Sequence, residues 1–411
     1  MLPNLRNRPV LVVSGPDGIS IANSKACSEL GIPKFTPVWE VRDKVELYRG
    51  AIFRSNFNTL GHLSDRMMSS IKNAMGDDLP SWVYSVDEIF FDISKLDNMG
   101  VPLHTHLSNV RKRVYQECRI GTGTGAGRTL TLSKCASFAA KKLPGYNGQC
   151  ILYTEKEENS VLKSMLVKDV WNCGSKMSEY LKFKGVTTAY DLKNQDPSVL
   201  KKEWNINASN IINELRGIPA LSFDDHPTPK ESIFSTASYR YRLKSRDSIA
   251  TQLSKHAAEV CRKSRANGTD ILAIALFVST SRFDKCAPFH QRVEVSFDYP
   301  TDDTRYILKC VDEYLNHLVP AKPDMQPIYK VGVGAVKLVN SEMRQLDLFD
   351  QSKKSPLMRT IDGLNTRFGK GTISFAAENE RSIKQEQPKI PLLELSNYLT
   401  RFEEIVTVKC V

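Results

Sequence analysis

The sequence contains no long hydrophobic run and no recognisable export signal. None of its 411 residues belongs to a stretch of about 18 consecutive apolar residues, the length that a membrane-spanning helix needs. The N-terminus also lacks the layout of a secretory signal, in which basic residues precede a long apolar segment. We therefore expect a cytoplasmic protein that has no membrane partner.

Paired cysteine motifs are also missing. Nine cysteines are scattered along the chain, and neither a CxxC motif nor a Cys/His spacing typical of zinc sites occurs among them. An odd and dispersed set of this kind favours reduced thiols over a disulfide framework or a structural zinc ion.

What the chain does contain is an ordinary globular composition with a basic surplus. Apolar residues make up 41% and charged residues 25%, which excludes wholesale disorder and collagen-like structure. The length predicts two to four domains at roughly 100–200 residues each. Lys and Arg number 57 against 46 Asp and Glu, a net charge of +11 that favours an anionic partner such as nucleic acid. A basic protein without such a partner has the same balance.

Hydrophobic periodicity predicts an α+β protein of several domains. Strands and helices alternate up to about residue 158, residues 161–216 are helical, and DDHPTPKE (224–231) is typical of a linker. Residues 232–340 then follow the order β-α-β-β-α-β, the split βαβ arrangement, which covers one face of a sheet with helices. Regularity falls off after residue 340, where we expect an irregular tail.

Asp87-Glu88 in YSVDEIFFD is the first candidate for chemistry. Ser81–Val86 and Ile89–Ile93 are predicted to be the strands of a tight hairpin. At its tip both carboxylates can converge on a divalent cation such as Mg²⁺, which prefers carboxylate oxygens together with substrate phosphates. A solvated turn is the commoner meaning of such a dipeptide, but the aromatic flanks favour a rigidly anchored tip.

The Gly-rich run GTGTGAGRTLTLSK (121–134) is the second candidate. Its spacing fits neither a P-loop nor a Rossmann fingerprint. What remains is a strand and turn that lead into a helix, with Arg128 and Lys134 near the start of that helix. A helix N-terminus with added cations suits a triphosphate, and a flexible turn before a surface helix is the alternative.

Two basic motifs point to the nucleic-acid backbone. WNCGSKMSEYLKFKG (171–185) is similar to a helix-hairpin-helix, in which Gly174 and the free N–H groups around Lys176 can hold a DNA phosphate. A plain helical turn is the alternative.

In YRYRLKSR (239–246), cations alternate with apolar residues. On a strand, the alternation places the cations on one face, where they can neutralise phosphates without reading sequence. The competing hypothesis is a solvated edge strand guarded by charge. The cations are Arg240, Arg242, Lys244 and Arg246.

A short apolar peptide, QLDLF (345–349), lies in the polar tail. Its residues Gln345, Leu346, Leu348 and Phe349 would fit the groove of a partner protein.

Taken together, these motifs resemble the Y-family DNA polymerases of the UmuC type. The similar blocks run in order over roughly residues 5–376. They are RPVLVVSGPDGISIA, YSVDEIFFDIS, GTGAGRTLTLSKCASFAAKK, VKDVWNCGSKMSEYLKFKGVTTAYDL, ELRGIPALSFDDHPTPKE, QLDLF and FGKGTISFA. The resemblance implies a right hand with fingers (1–60), palm (61–158), helical thumb with a helix-hairpin-helix (161–228), split β-α-β-β-α-β little finger (232–340) and a tail (341–411).

The resemblance also implies an activity, which is error-prone synthesis past damaged bases in the SOS response, with Mg²⁺ as cofactor. Asp87 and Glu88 match the family's second metal-binding motif, and Lys134 matches its basic residue on the incoming triphosphate. Lys25 lies close to Ser28, which replaces a family Lys or Arg near that triphosphate. QLDLF matches the sliding-clamp peptide. The implied partners are primer–template DNA, a dNTP, the clamp, an UmuD-type accessory subunit and a recombinase filament.

The sequence also departs from the family pattern. Family members begin with a palm strand that carries an Asp, followed by an aromatic gate that excludes ribonucleotides, whereas Met1 corresponds to a point already within the fingers. We therefore expect neither group in this sequence, and a palm sheet that is one strand short. Leu130 and Asn172 replace a usual Lys and Gly. Either the true start lies upstream and the polymerase is intact, or the chain is a truncated, inactive paralogue that keeps DNA and clamp binding.

Overall fold

The computed structural model describes residues 3–14, 18–94, 96, 101–223, 230–343 and 356–379. They fall into two compact units that divide after Pro227. Within these ranges no helix has the length and apolar character needed to cross a bilayer. The cysteines of the described ranges are all free thiols, as the sequence predicts.

The first unit begins with a small three-stranded sheet. Its elements are β1 (Val10–Val13), β2 (Ser20–Asn23), α1 (Lys25–Glu29), α2 (Val38–Leu47) and β3 (Ala51–Arg54). The strand order is β2-β1-β3, with β1 antiparallel to β2 and parallel to β3. Leu11, Val13, Cys27 and Val45 are fully buried between this sheet and its helices.

The middle of the first unit has two separate two-stranded sheets. Its elements are α3 (Phe57–Met75), β4 (Ser81–Ser85), β5 (Glu88–Phe91), α4 (Leu103–Cys118), β6 (Thr124–Ala126), α5 (Leu130–Lys142) and β7 (Gln149–Ile151). Strands β4 and β5 form an antiparallel hairpin, and β6 pairs in parallel with β7. The predicted hairpin is therefore confirmed.

A cavity of about 430 Å³ is lined by both of these sheets. One part of its wall is β5 and another is the segment 121–127, while Ile71 of α3 and Leu107 of α4 contribute apolar side chains. Among the described strands, β5 pairs only with β4 and β6 only with β7.

The glycines of the segment 121–127 allow β6 to lie directly against α5. A Cβ on Gly125 would stand 2.1 Å from the Ser137 nitrogen, and one on Gly127 would stand 2.9 Å from the Leu132 carbonyl carbon. Strand glycines commonly mark such a close backbone approach. The spacing of the glycines in 121–127 fits no phosphate loop. The close packing of β6 on α5 explains why Gly125 and Gly127 are needed.

Residues 155–215 of the first unit are mainly helical, as predicted for 161–216. The helices are α6 (Glu155–Ser164), α7 (Ser175–Phe183), α8 (Ala189–Lys193), α9 (Pro197–Glu203) and α10 (Ile206–Leu215). They share one core with α5, in which Leu132, Leu162, Leu181 and Ile212 are almost completely shielded from solvent. Residues 224–229 of the predicted linker lie outside the described residues.

The second unit confirms the split β-α-β-β-α-β order. It contains β8 (Ile233–Leu243), α11 (Arg246–Ala266), β9 (Thr269–Ser279), β10 (His290–Thr301), α12 (Thr304–Leu318) and β11 (Ile328–Asn340). The sheet order is β10-β9-β11-β8, with every neighbouring pair antiparallel. Each helical crossover thus skips one strand. Ile249, Leu253, Ile271 and Val333 are fully buried between the helices and the sheet.

The prediction that four cations share one face of a strand is wrong. Strand β8 contains Arg240 and Arg242 but ends at Leu243, so Lys244 lies beyond it and Arg246 is the first residue of α11. The pairing of β8 with β11 also shifts register within its last residues. A bulge of this kind interrupts the alternation of side chains on which the prediction relied.

The expectation of an irregular tail is also wrong for part of the chain. Residues Pro356–Phe368 form helix α13, whose Met358 is fully buried. Arg265 of α11 donates two hydrogen bonds to the Asp362 carboxylate, at 2.6 and 3.0 Å. Apolar residues at 357, 358, 361 and 364 follow the helical spacing. That spacing was the available signal for the helix.

Candidate active site

The tip of the β4–β5 hairpin carries both predicted carboxylates. Val86 and Asp87 form the turn, and Glu88 is the first residue of β5. The Ser85 hydroxyl donates a hydrogen bond to Asp87 Oδ1 at 2.7 Å, which ties the carboxylate to its own strand. Asp87 and Glu88 both line the cavity.

Asp92, the third acidic residue of YSVDEIFFD, has a local role. Its Oδ1 accepts hydrogen bonds from the backbone N–H of Ser94, at 3.0 Å, and from the Ser94 hydroxyl.

Aromatic packing anchors the hairpin, as its flanking residues predict. Trp82 and Phe90 stack across the two strands with ring centroids 5.5 Å apart. Tyr84 meets Phe90 edge-on at 5.9 Å. The carboxylates therefore project from a rigid support.

Lys134 of α5 is brought directly to the hairpin. Its ammonium forms an ion pair with the Glu88 carboxylate, although the two residues are 46 positions apart in the chain. The Lys134 side chain is 20% exposed and that of Glu88 is 31% exposed. Two residues that the sequence predicted separately thus meet at one rim of the cavity.

Two aromatic rings lie around the Lys134 ammonium, and sequence reasoning missed one of them. The nitrogen is 5.6 Å from the centroid of Tyr84 and 5.8 Å from that of Trp171. The Trp171 indole N–H donates a hydrogen bond to the Tyr84 hydroxyl at 3.2 Å, with the rings nearly perpendicular at 88°. Only the position of Trp171 at the start of WNCGSK hinted at a role.

Arg128 lies in a different environment from Lys134. Its guanidinium donates two hydrogen bonds of 2.8 Å to the Glu158 carboxylate of α6, which is completely buried. These bonds raise the pKa of Arg128. Arg128 therefore links the turn between β6 and α5 to helix α6 through this ion pair. Its predicted contact with a nucleotide stays a prediction, and Glu158 carried no signal in the sequence.

Lys25 belongs to a separate element of the first unit. It is the first residue of α1, its side chain is 91% exposed, and its ammonium lies 3.6 Å from the Glu29 carboxylate. Exposed pairs of this spacing contribute little to stability, so the amine is available to an anion.

The turn before α7 is open to solvent at its backbone. Gly174 is the N-cap residue of α7, and no atom lies within 4 Å of a Cβ built upon it. Asn172 adopts a left-handed φ of 65°, which asparagine tolerates better than most residues. Lys176 is exposed in the first turn of the helix. The predicted DNA-binding residues thus surround an open backbone turn.

The cations of the second unit are held in different ways. Arg242 donates hydrogen bonds of 2.8 and 2.9 Å to Asp284, which lower the pKa of that carboxyl group. Arg246 donates to the Asn316 side chain at 3.2 Å, while Lys244 is exposed.

The four residues Gln345, Leu346, Leu348 and Phe349 of QLDLF lie outside the described residues.

The hairpin tip offers two carboxylates to a divalent cation. Mg²⁺ in nucleotide enzymes is generally held by one or two carboxylates together with substrate phosphates. Asp87 and Glu88 supply such a pair. In the described part of the chain, no group of three or more His, Cys, Asp or Glu side chains could hold a metal ion.

Family models match most of the chain. The impB/mucB/samB family model matches residues 1–138, and the model of that family's C-terminal domain matches residues 230–348. A third model, a domain of unknown function called DUF4113, matches residues 355–408. The first two models together cover more than half of the sequence.

Whole-length relatives agree with these models. The chain is 28% identical to Protein UmuC of Salmonella typhimurium over 417 residues, which covers 99% of this chain and 96% of the relative. It is 29% identical to Protein SamB of the same organism, over 99% and 95% of the two chains. It is 26% identical to DNA polymerase IV 2 of Bacillus subtilis, over 91% and 89%.

A solved structure shows a similar fold. A Y-family DNA polymerase chimera of Dbh and Dpo4 superposes with a TM-score of 0.60, over 80% of this chain and 90% of the chimera, at 16% identity.

Proposed function

This chain belongs to the impB/mucB/samB family, the UmuC-type Y-family DNA polymerases, and we propose that it performs error-prone translesion DNA synthesis in the SOS response. The reaction is template-directed transfer of a nucleotide from a dNTP to a primer, in the cytoplasm. One observation carries the assignment of the active site. At the anchored hairpin tip Glu88 contacts the Lys134 ammonium, and Asp87, Glu88 and Lys134 all line one cavity.

Asp87 and Glu88 would hold Mg²⁺. When bound, this ion neutralises phosphate charge and favours the deprotonated primer hydroxyl. Lys134 would exchange its contact with Glu88 for a phosphate oxygen of the dNTP, because an ammonium binds either anion as a point charge. Lys25 and Arg128 are further candidates for the triphosphate.

The domain plan follows from the same proposal. Residues 1–60 would be fingers, 61–158 palm, 161–228 thumb, 232–340 little finger, and 341–411 a tail. The thumb would bind a DNA phosphate at the Gly174 turn beside Lys176. The little finger would grip the duplex backbone with Arg240, Arg242, Lys244 and Arg246, and such contacts give affinity without sequence preference.

The salt dependence of DNA binding tests the proposed contacts between the little finger and the DNA backbone. We expect Arg240→Ala with Lys244→Ala to weaken binding to all primer–templates alike and to flatten the slope of log K against log salt by roughly two. Fluorescence anisotropy at several salt concentrations measures both quantities. Arg242→Ala should have a smaller effect, because its guanidinium already binds Asp284. A loss confined to particular template sequences would contradict the proposal.

The tail peptide QLDLF is proposed to bind the sliding clamp. Leu348→Ala together with Phe349→Ala should lower clamp affinity at least tenfold, because buried apolar anchors dominate peptide docking. Affinity for primer–template should stay unchanged, and surface plasmon resonance on immobilised clamp measures the first effect. Unchanged clamp binding would remove this partner. An UmuD-type subunit and a recombinase filament are proposed from family membership alone.

A second candidate is a catalytically inactive family member that keeps DNA and clamp binding. The number of metal-binding side chains favours this candidate. Within the described ranges the hairpin tip brings together only two carboxylates that could bind a metal ion. Primer extension by the purified chain with Mg²⁺ separates the candidates. Extension supports the polymerase, whereas salt-sensitive primer–template binding without extension supports the inactive member. A chain that does neither would contradict both.

A further inference from the structure

We propose that Trp171 and Tyr84 position the Lys134 ammonium and thereby couple the DNA-binding turn at 172–176 to the nucleotide site. This inference rests on the proposed function, in which Lys134 contacts the triphosphate. It adds two positioning residues, neither of which needs to touch the nucleotide.

The surroundings of Lys134 contain one anion and two ring faces. Its ammonium contacts the Glu88 carboxylate and lies within 6 Å of the centroids of Tyr84 and Trp171. A ring face attracts a cation at this distance through its quadrupole. The flexible lysine stem would otherwise sample many rotamers, so these contacts lower the entropy that is lost when the amine is fixed.

The rings gain importance when Glu88 serves a metal ion. Glu88 cannot give its charge fully to both a divalent cation and Lys134, so metal binding weakens the ion pair. Tyr84 and Trp171 are neutral, and their contacts with the ammonium do not depend on that exchange. They are therefore the groups that keep Lys134 in place while its carboxylate partner changes.

Trp171 also links this site to the turn before α7. It directly precedes residues 172–176, and its indole is fixed to Tyr84 by the 3.2 Å hydrogen bond. Behind it, Val167 and Val170 are buried in the helical core. A phosphate that orders the exposed turn at Gly174 would thus restrain the indole and, through it, the ammonium.

The first unit offers a matched control for this arrangement. Trp204 lies 5.5 Å from Tyr180 between ring centroids, and the Lys184 ammonium lies 5.5 Å from the Tyr180 centroid. Glu203 completes the set with an ion pair of 3.3 Å to Lys184. This second group has the same four residue types, but none of its members lines the cavity.

The test compares dNTP binding and primer–template binding in a set of variants. Trp171→Ala should raise the KM and the equilibrium Kd for dNTP about fivefold, the size expected from loss of a cation–π contact. The kcat and the affinity for primer–template should stay within about twofold. Trp171→Phe and Tyr84→Phe keep a ring and lose the hydrogen bond, so about twofold is expected for each. Trp204→Ala should change neither affinity.

A double-mutant cycle with Lys134→Ala separates positioning from general structural damage. The effect of Trp171→Ala, or of Trp171→Phe if the alanine variant does not fold, should disappear in the Lys134→Ala background. The same effect in both backgrounds would overturn the inference. A wild-type chain that binds no dNTP with Mg²⁺ and primer–template would instead overturn the proposed function, so the two failures are distinguishable.

Discussion

Asp87→Asn and Glu88→Gln are each expected to lower primer extension by roughly a thousandfold or more, while the affinity for primer–template stays within about twofold. Loss of a metal-binding carboxylate removes several kcal/mol of transition-state stabilisation, and each 1.4 kcal/mol is about tenfold in rate. Both changes preserve the shape of the side chain. The rigid aromatic support of the hairpin should therefore keep the fold intact. Single-turnover extension with Mg²⁺ and anisotropy with labelled primer–template measure the two quantities.

Asp92→Asn is the matched control for these variants. It lies in the same sequence block, but its carboxylate is engaged with Ser94. We expect extension within about threefold of wild type for this change. Near wild-type extension by both Asp87→Asn and Glu88→Gln would contradict the assignment of the metal ligands.

Arg128→Ala is expected to lower the free energy of unfolding of the first unit by about 3 kcal/mol. The change leaves the buried Glu158 carboxylate without the guanidinium that binds it through two hydrogen bonds, and an unpaired buried charge is strongly destabilising. The effect lies at the lower end of the usual range because the Arg128 side chain is 51% exposed. Hydrogen exchange of the buried amides of α6 and α10 reports the stability of this unit.

Removing both charges tests the explanation. Arg128→Met with Glu158→Leu should recover most of the lost stability, because a pair replaced by apolar residues leaves no uncompensated charge. An equal loss in the double variant would contradict the ion-pair argument. The double variant also tests the predicted nucleotide contact of Arg128. A raised KM for dNTP in a chain of restored stability would support that contact.

The sequence predicted those features that depend on local periodicity and turn chemistry. The β4–β5 hairpin has alternating strands and a short acidic turn, so Asp87-Glu88 could be placed at its tip. The β-α-β-β-α-β order of the second unit follows in the same way from apolar repeats of period two and about four. The family resemblance also rested on the order of short motifs, and the family models confirm it.

Predictions from the sequence were wrong where a longer-range interaction overrides the local pattern. Cations alternate through YRYRLKSR, but β8 ends at Leu243, because Ser245 caps helix α11, and its pairing with β11 shifts register between Ser238 and Leu243. Helix α13 in the tail packs against the second unit through the buried Met358 and the Asp362–Arg265 ion pair. Neither the register nor this packing can be deduced from the residues on one segment alone.

The sequence by itself therefore determined the order of the elements, the family, and the two carboxylates at the hairpin tip. Only the tertiary structure decided which cation contacts Glu88. It pairs Lys134 with Glu88, directs Arg128 to Glu158, and places Trp171 over the lysine ammonium. The physical reason for this division is the separation of the contacting residues along the chain. Turns and periodicity are fixed by neighbouring residues, whereas these contacts join positions 30 to 46 residues apart and depend on how the helices pack.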